Sequence, residues 1–196
     1  MRAAITRLTV FCGSATGLRP VYADTTRHLG SAMAARRIGL VYGGTSIGLM
    51  GVLADSVLGG GGEVIGVIPR HLVDREIAHT GLTDLRIVET MHERKALMAH
   101  LGDGFVALPG GAGTLDELFE AWTWAQLGLH SKPCALLNVD GYFDALLSHV
   151  RHMVQEGFLR DEYARILEAD YDPDALLTRL VSQRPPPEKS ALDTIA

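Results

Sequence analysis

Short apolar runs and amphipathic stretches alternate along most of the chain. Six runs are mostly apolar throughout rather than alternating with polar residues: Leu8–Cys12, Ile38–Val41, Val64–Ile68, Leu85–Val88, Phe105–Leu108 and Ala135–Val139. Runs of this length and character are typical of parallel strands that are covered on both faces. The pattern therefore predicts strands that lie inside a layered domain.

Helical periodicity fills the segments between these runs. The predicted helices are Tyr22–Arg36, which follows Pro20, then Ile47–Leu58, Met91–Leu101, Leu115–Leu127 and Tyr142–Val154. Strands that alternate with helices indicate βαβ units. We expect a single α/β domain with a doubly wound, Rossmann-like, mostly parallel sheet and helices on both faces.

The boundaries of this domain follow from the same pattern. The weakly periodic segment Val73–Thr83 predicts an irregular excursion over the ligand site. The proline-rich stretch Arg184–Lys189 predicts the end of the fold. The domain is therefore predicted to span residues 1–182, and residues 183–196 to form a disordered tail.

A glycine-rich turn follows the fifth apolar run. Gly110, Gly111 and Gly113 lie within four residues, and a helix is predicted to begin at Thr114. Glycine lets the backbone approach a ligand closely, and the free N–H groups at a helix start attract anions. Strand, glycine turn and helix together predict a phosphate-binding site.

A second glycine turn, with Gly43, Gly44 and Thr45, follows the second apolar run, and Ser14 follows the first. Ligands of doubly wound sheets bind at the carboxyl ends of the strands, where all of these residues are expected. Ser14 is a candidate hydrogen-bond donor to the ligand, with a simple turn role as the alternative. Two such turns in one domain predict a phosphorylated small molecule as the ligand.

Composition narrows the classes of partner. The chain has 196 residues, 47% hydrophobic and 21% charged, with a formal net charge of −5. No basic run is present, so no nucleic-acid partner is expected. No apolar stretch approaches the ~20 residues of a membrane span, so no membrane partner is expected. The charged start of the chain leads directly into a strand, which argues against a signal peptide.

Cysteine and histidine spacing argues against a metal centre. Cys12 and Cys134 both lie in apolar runs, which predicts buried free thiols in a cytoplasmic protein. The eight histidines are scattered without the spacings of zinc ligands. We therefore expect neither a metal nor a cofactor.

Two segments carry charged residues at helix starts. Thr114 and Glu117 have the spacing of a capping box, and that structural role competes with a ligand role for the carboxylate of Glu117. Thr90 and Glu93 repeat the spacing, and Arg94 and Lys95 follow. Cations near a helix start are disfavoured by ~0.3–1 kcal/mol, which suggests a functional reason for the pair. His92 is the histidine placed best to act as a general base.

These motifs together resemble the LOG ("lonely guy") family, the cytokinin riboside 5′-monophosphate phosphoribohydrolases long mislabelled as lysine decarboxylases. The resemblance is carried by the PGGxGTxxE motif at 109–117, by Met-His-Glu-Arg-Lys at 91–95 and by the second glycine turn at 43–51. It covers residues 7–182. The family often has a third glycine where this chain has Thr45.

The resemblance implies hydrolysis of the N-glycosidic bond of an N6-substituted AMP, giving the free base and ribose 5-phosphate. It implies that Arg94 and Glu117 form the catalytic pair. The residues implied to bind substrate and phosphate are Glu76, Lys95, Gly110, Gly111, Ala112, Gly113, Thr114 and Thr123. A homodimer is also implied, and the tryptophan-bearing helix 115–127 is compatible with an interface.

Two other functions remain open from sequence. A general nucleosidase acting on plain AMP would need the same residues, because these contact sugar and phosphate rather than base. A noncatalytic carrier of a phosphorylated ligand, like the related molybdenum-cofactor carriers, would use the same turns. The presence of both Arg94 and Glu117 argues against the carrier.

Overall fold

The computed structural model describes residues 5–73 and 78–182 of the chain. Within these residues seven strands form one sheet: β1 (Arg7–Phe11), β2 (Gly39–Tyr42), β3 (Val64–Pro69), β4 (Asp84–Val88), β5 (Phe105–Ala107), β6 (Cys134–Leu137) and β7 (Leu167–Asp170). The strand order is β4-β3-β2-β1-β5-β6-β7, and every pairing is parallel. The predicted fold class is confirmed.

The described residues also form eight α-helices, of which the first seven lie between strands and the last follows β7: α1 (Pro20–Ala35), α2 (Gly48–Gly59), α3 (Arg70–Val73), α4 (Met91–Leu101), α5 (Ala112–Gln126), α6 (Asp144–Gln155), α7 (Asp161–Ala164) and α8 (Pro173–Ser182). Pro20 occupies the start of α1, where its fixed φ suits the first turn. Among the described residues, no helix is both long and apolar enough to cross a bilayer.

Two apolar cores cover the two faces of the sheet. On one face α1, α2 and α8 contribute Leu29, Leu53 and Leu177, all fully buried. On the other face α4 and α5 contribute Met98 and Trp122. Helices on both faces explain why the central strands are apolar throughout, since neither side of these strands meets water.

Four described α-helices and strands were not predicted, among them the single-turn helix α3 (Arg70–Val73). Strand β7 is a short edge strand with charged residues at two of its four positions, and α7 spans only four residues. Helix α8 carries a recognisable amphipathic pattern, with Leu176, Leu177 and Leu180 buried. Of the segment predicted to be irregular, residues 74–77 lie outside the described residues, and Ala78 forms an isolated antiparallel bridge with Thr45. The predicted tail, 183–196, also lies outside them.

Candidate active site

The two strands that carry the site are neighbours at the centre of the sheet. In the strand order, β2, β3 and β4 lie on one side of β1, and β5, β6 and β7 lie on its other side. The turns after β1 and β5 therefore meet at a switch point, the usual position of a ligand crevice. The N–H of Gly13 donates to the carbonyl of Pro109 at 3.0 Å, which joins the two turns.

The turn after β5 presents open backbone to this crevice. Helix α5 begins at Ala112, and its first helical hydrogen bond in the chain runs from Leu115 N–H to the carbonyl of Gly111, at 3.3 Å. The amides of residues 112–114 therefore have no carbonyl acceptor within their own helix. A side chain at Gly111 or Gly113 would meet open space, whereas one at Gly110 would overlap Thr114. The turn is therefore packed against the protein at Gly110 and open to the crevice at Gly111 and Gly113, as an anion site requires.

The structure corrects the prediction for the start of this helix. The residue that caps α5 is Gly111, and no side chain caps the helix. Thr114 is its third residue and is buried, so the Thr114–Glu117 capping box is wrong. Glu117 lies in the second turn of α5 rather than in the predicted first turn. The three glycines let the helix start earlier than the polar pattern suggested.

At the start of α4, by contrast, the predicted cap by Thr90 is confirmed, whereas the Glu93 side chain bonds the residue before Thr90 rather than Thr90 itself. The hydroxyl of Thr90 accepts a hydrogen bond from Glu93 N–H at 3.1 Å. The carboxylate of Glu93 in turn accepts from Glu89 N–H at 2.9 Å. This cap fixes the first turn of α4, and Arg94 follows directly.

Arg94 is a buried cation with incomplete hydrogen bonding. Only 7% of the residue is exposed, and its buried Nε has no hydrogen-bond partner among the described residues 5–73 and 78–182. Its Nη2 donates to the carbonyl of Gly43 at 3.3 Å, and a side chain at Gly43 would overlap the guanidinium. A buried charge and an unsatisfied donor are both costly unless a ligand completes them. The site is therefore suited to an anionic ligand.

Arg94 and Glu117 line the same cavity. This cavity, which we call the Arg94–Glu117 cavity, has a volume of about 410 Å³. Its lining consists of Cys12, Gly13, Ser14, Met50, Leu72, Met91, Arg94, Gly111, Ala112, Gly113, Thr114, Asp116 and Glu117. Burial raises the pKa of the Cys12 thiol, and the nearby charge of Glu117 raises it further. The carboxylate of Glu117 thus lies near the end of β1, in the cavity that the glycine-rich turn after β5 also lines; we call this turn the phosphate turn after its predicted ligand.

Lys95 links the two helices that carry the catalytic candidates. Its Nζ lies 3.2 Å from Asp116 Oδ2 and 3.0 Å from Glu120 Oε2, both on α5. Burial lowers the pKa of Lys95, but the hydrogen bonds with Glu120 and Asp116 outweigh burial and leave the pKa raised. Lys95 is therefore charged at neutral pH and holds α4 against α5. Its direct contact with substrate stays a prediction.

The second glycine turn supports the site through contacts with the side chains of Arg94 and Met50. Gly44 has φ of +81°, a conformation that favours glycine, and its carbonyl accepts from His79 N–H at 3.0 Å. Thr45 is fully buried, and its hydroxyl contacts the Sδ of Met50 at 3.7 Å. Neither residue lines the Arg94–Glu117 cavity, and Gly43 reaches the site through Arg94. Their predicted contact with the nucleotide stays a prediction.

The remaining predicted residues lie in different settings. Ser14 lines the Arg94–Glu117 cavity, whereas Thr123 is exposed on α5, beyond the cavity lining. Glu76 lies outside the described residues. His92 is exposed and is not part of the cavity lining, which does not support its role as a general base. Cys12 and Cys134 are free, buried thiols, as predicted.

Sequence reasoning missed the apolar wall of the cavity. Met50, Leu72 and Met91 come from three different helices and face the polar wall that α5 supplies. Met50 and Met91 are apolar positions of predicted helices that also fall in the motifs at 43–51 and 91–95, whereas Leu72 lies in a helix that was not predicted. Flexible methionine side chains adapt well to planar aromatic groups.

A second cavity lies on the other side of the two joined turns. It has a volume of about 330 Å³, and we call it the tyrosine cavity. Its lining consists of Gly13, Ser14, Ala15, Thr16, Gly17, Tyr22, Leu49, Pro109, Gly110, Gly111 and Tyr142. It shares Gly13, Ser14 and Gly111 with the Arg94–Glu117 cavity. Among the described residues, no group of three or more His, Cys, Asp or Glu side chains could hold a metal ion.

The chain is similar in sequence to one known protein family and to individual plant proteins. Residues 50–180 match the family described as "possible lysine decarboxylase". The chain is 48% identical over 183 residues to a probable cytokinin riboside 5′-monophosphate phosphoribohydrolase of rice, Oryza sativa subsp. japonica, covering 93% of this chain and 75% of the relative. It is 47% identical over 179 residues to the cytokinin riboside 5′-monophosphate phosphoribohydrolase LOG7 of Arabidopsis thaliana, covering 91% of this chain and 82% of the relative.

Solved structures share the fold at much lower identity. The molybdenum cofactor carrier protein of Chlamydomonas reinhardtii superposes with a TM-score of 0.68 at 19% identity, covering 91% of this chain and 99% of that chain. This likeness concerns the fold alone. The family match covers more than half of the chain, and the relatives at 47% to 48% identity span most of its length. The chain therefore belongs to the LOG family, matched under the older description of possible lysine decarboxylases.

Proposed function

We propose that this protein hydrolyses the N-glycosidic bond of N6-substituted AMP, releasing the free base and ribose 5-phosphate. The observation that carries the proposal is that the buried Arg94 lines one cavity with Glu117 and the open start of α5, and that its Nε has no partner within the described part of the chain. The named activity of the rice and Arabidopsis relatives supports the same reaction.

In the proposed complex the 5′-phosphate lies against the amides of residues 112–114. The helix dipole and the free N–H groups favour the phosphate charge there. The sugar then extends toward Glu117 and Arg94, because both side chains line the same cavity. The base would lie against the apolar wall of Met50, Leu72 and Met91, where thioether groups contact aromatic rings favourably.

Glu117 is proposed to act at the anomeric carbon. Cleavage of the glycosidic bond builds positive charge on the sugar ring, and a fixed carboxylate stabilises that charge. Glu117 also activates the attacking water. The guanidinium of Arg94 orients the substrate and stabilises the ionised carboxylate. Water supplies the hydroxyl of ribose 5-phosphate, and the departing purine takes a proton.

A general nucleosidase for plain AMP is the second candidate function. The observation that favours it is the set of groups in the cavity: Arg94, Glu117 and the amides of 112–114 would contact sugar and phosphate, which both substrates share. Discrimination would come from the apolar wall alone. One additional apolar group in a pocket changes specificity by only ~1–3 kcal/mol.

The deciding experiment compares two substrates. The purified protein is incubated with isopentenyladenosine 5′-monophosphate and, in parallel, with AMP, and the free base is measured by chromatography. Rapid release from the modified nucleotide alone supports the proposed function. Equal release from both substrates assigns the general nucleosidase. Binding without release from either would make the protein a carrier and overturn the catalytic roles.

We further propose that the protein is a cytoplasmic homodimer. Leu127 and Leu129, at the end of α5, are 55% and 69% exposed, and half-buried Trp124 lies beside them. Apolar side chains grouped in this way are typical of interfaces. The free thiols Cys12 and Cys134 suit a reducing compartment. Light scattering should give twice the chain mass, and Leu129→Asp should shift the protein toward monomer.

A further inference from the structure

The tyrosine cavity has no part in the proposed reaction, yet its walls are ordered by specific contacts. The rings of Tyr22 and Tyr142 meet edge to face at 5.8 Å, with an interplanar angle of 81°. The hydroxyl of Tyr142 donates to the carbonyl of Gly110 at 2.6 Å, which fixes this ring to the phosphate turn. The cavity is therefore built onto the same turn that is proposed to hold the phosphate.

The opposite wall is also adapted to the aromatic pair. Gly17 has φ of +75°, and a Cβ there would lie 2.7 Å from Cδ2 of Tyr22. Only glycine lets the turn after β1 approach the ring so closely. Leu49 and Pro109 complete an apolar lining with the two tyrosines. Aromatic and apolar walls of this kind accept a planar ring.

The two cavities meet at the junction of the turns. Gly13, Ser14 and Gly111 line both, and a side chain at Gly111 would meet open space. A phosphate bound at the start of α5 would thus have a cavity on each side. The Arg94–Glu117 cavity would take the nucleoside, and the tyrosine cavity would face the substituent on the far side of the phosphate.

A cation packs on one of the two tyrosines, although it is not itself part of the cavity lining. The guanidinium of Arg19 lies over the Tyr22 ring, 5.4 Å from its centroid, and forms an ion pair with Asp140. Its side chain is 54% exposed, and a ligand phosphate would compete with Asp140 for the guanidinium. A positive group at this point suits a ligand with more than one phosphate.

The geometry points to a second ligand subsite: the tyrosine cavity binds an aromatic ring joined to the nucleotide through its 5′-phosphate. The chemical class is a nucleotide extended at the phosphate, such as a diphosphate-linked dinucleotide that spans both cavities. This inference rests on the proposed function, because it places the nucleoside phosphate at the start of α5. It adds a class of ligand that the hydrolysis of nucleoside monophosphates does not require.

The test measures binding of AMP, ADP and diadenosine 5′,5′-diphosphate by calorimetry. It uses the wild-type protein and the Glu117→Gln variant, in which nucleotide is not consumed. Diadenosine diphosphate should bind about tenfold more tightly than AMP, the size of one base–aromatic stacking contribution. Tyr22→Ala should abolish most of this gain and leave the affinity for AMP within about twofold. Ala15→Phe, which fills the cavity, should do the same and covers the case in which Tyr22→Ala fails to fold.

Each outcome decides between the two proposals. If AMP binds and diadenosine diphosphate binds no more tightly, the subsite is absent while the proposed function stands. If ADP binds as tightly as the dinucleotide, charge rather than the ring explains the gain, and the subsite is again rejected. If none of the three nucleotides binds, both proposals fail. Phe158→Ala removes an exposed aromatic ring outside both cavities and should change none of these affinities.

Discussion

At the residue scale, the site depends on charges that the fold holds in specific places. Arg94 is buried against Gly43, Glu117 lies in the second turn of α5, and Lys95 joins the helices that carry them. Each residue has a different expected effect on catalysis. Kinetic measurements on single variants can therefore separate their roles.

Glu117→Gln tests the carboxylate directly. The amide keeps the size of the side chain but loses the charge that stabilises the developing cation, so kcat should fall about 10²–10³-fold. Affinity for the nucleotide should change little, because the phosphate and Arg94 contacts remain. Steady-state kinetics and calorimetry give the two quantities. Glu162→Gln, an exposed carboxylate on α7, is the matched control and should leave both unchanged. Near-normal turnover in the Glu117 variant would show that the assignment is wrong.

Lys95→Met separates positioning from substrate contact. Without its bonds to Asp116 and Glu120, α4 and α5 lose a link beside the catalytic pair, and kcat should fall about tenfold through misplacement. KM should change less than kcat. The double variant Asp116→Asn, Glu120→Gln breaks the same link from the other side and should reproduce the loss. If Lys95→Met raises KM strongly and the double variant does not, Lys95 contacts the substrate instead.

At the scale of elements, the turns rather than the helices determine the site. In the second glycine turn, the carbonyl of Gly43 holds Arg94, and Thr45 contacts Met50, which lines the cavity. Fewer residue types are tolerated in a turn that positions a buried arginine than in a turn that only connects two elements. Such contacts between distant segments define a rigid site.

Gly43→Ala is the sharpest test at this scale. The added methyl group would overlap the guanidinium of Arg94, so the arginine must move and activity should fall at least tenfold. Stability should fall by about 1–3 kcal/mol, as for overpacking of a core. Enzyme kinetics and thermal unfolding measure the two effects. Gly59→Ala, at a position where a side chain meets open space, should be harmless to activity. Equal activities of the two variants would contradict the packing role.

The elements also show what sequence could and could not predict. All six predicted strands and all five predicted helices are present, and α4 has the predicted bounds, because continuous apolar runs and capping signals are local. The cap of α5 was predicted at Thr114, three residues after the observed cap at Gly111, since a glycine can cap a helix without any polar signal. The apolar wall of Met50, Leu72 and Met91 was missed because three separate helices build it. Side-chain positions of that kind depend on packing, which no local pattern encodes.

At the scale of the whole molecule, the two thiols buried in the core should lower the free energy of unfolding at alkaline pH. Cys12 and Cys134 are buried as neutral thiols, and burial raises the pKa of Cys134 to about 12. Burial and the charge of Glu117 also raise the pKa of Cys12. In the unfolded chain a thiol ionises near pH ~8.5. The folded state therefore retains two protons that the unfolded state loses.

The free energy of unfolding should fall as pH rises above about 9. Each thiol contributes a slope of up to about 1.4 kcal/mol per pH unit until its folded pKa is reached, because the unfolded state then binds fewer protons. Urea unfolding at pH 7 to 11 measures the slope. The Cys12→Ala, Cys134→Ala double variant removes both contributions and should show a shallower decline. Identical slopes for the two proteins would contradict burial of the thiols.

The contact between Gly43 and Arg94 has a consequence for how this sequence can evolve. The two positions are 51 residues apart, yet a side chain at the first excludes the guanidinium at the second. A substitution at position 43 is therefore deleterious while the arginine remains. It becomes less costly once the arginine is lost, when the end of the flexible Met50 side chain, 2.9 Å from an added Cβ, is the remaining obstacle. Substitutions at the two positions are therefore expected to depend on each other. Related sequences that keep the arginine should keep the glycine, and sequences that vary at position 43 should lack both the arginine and the activity.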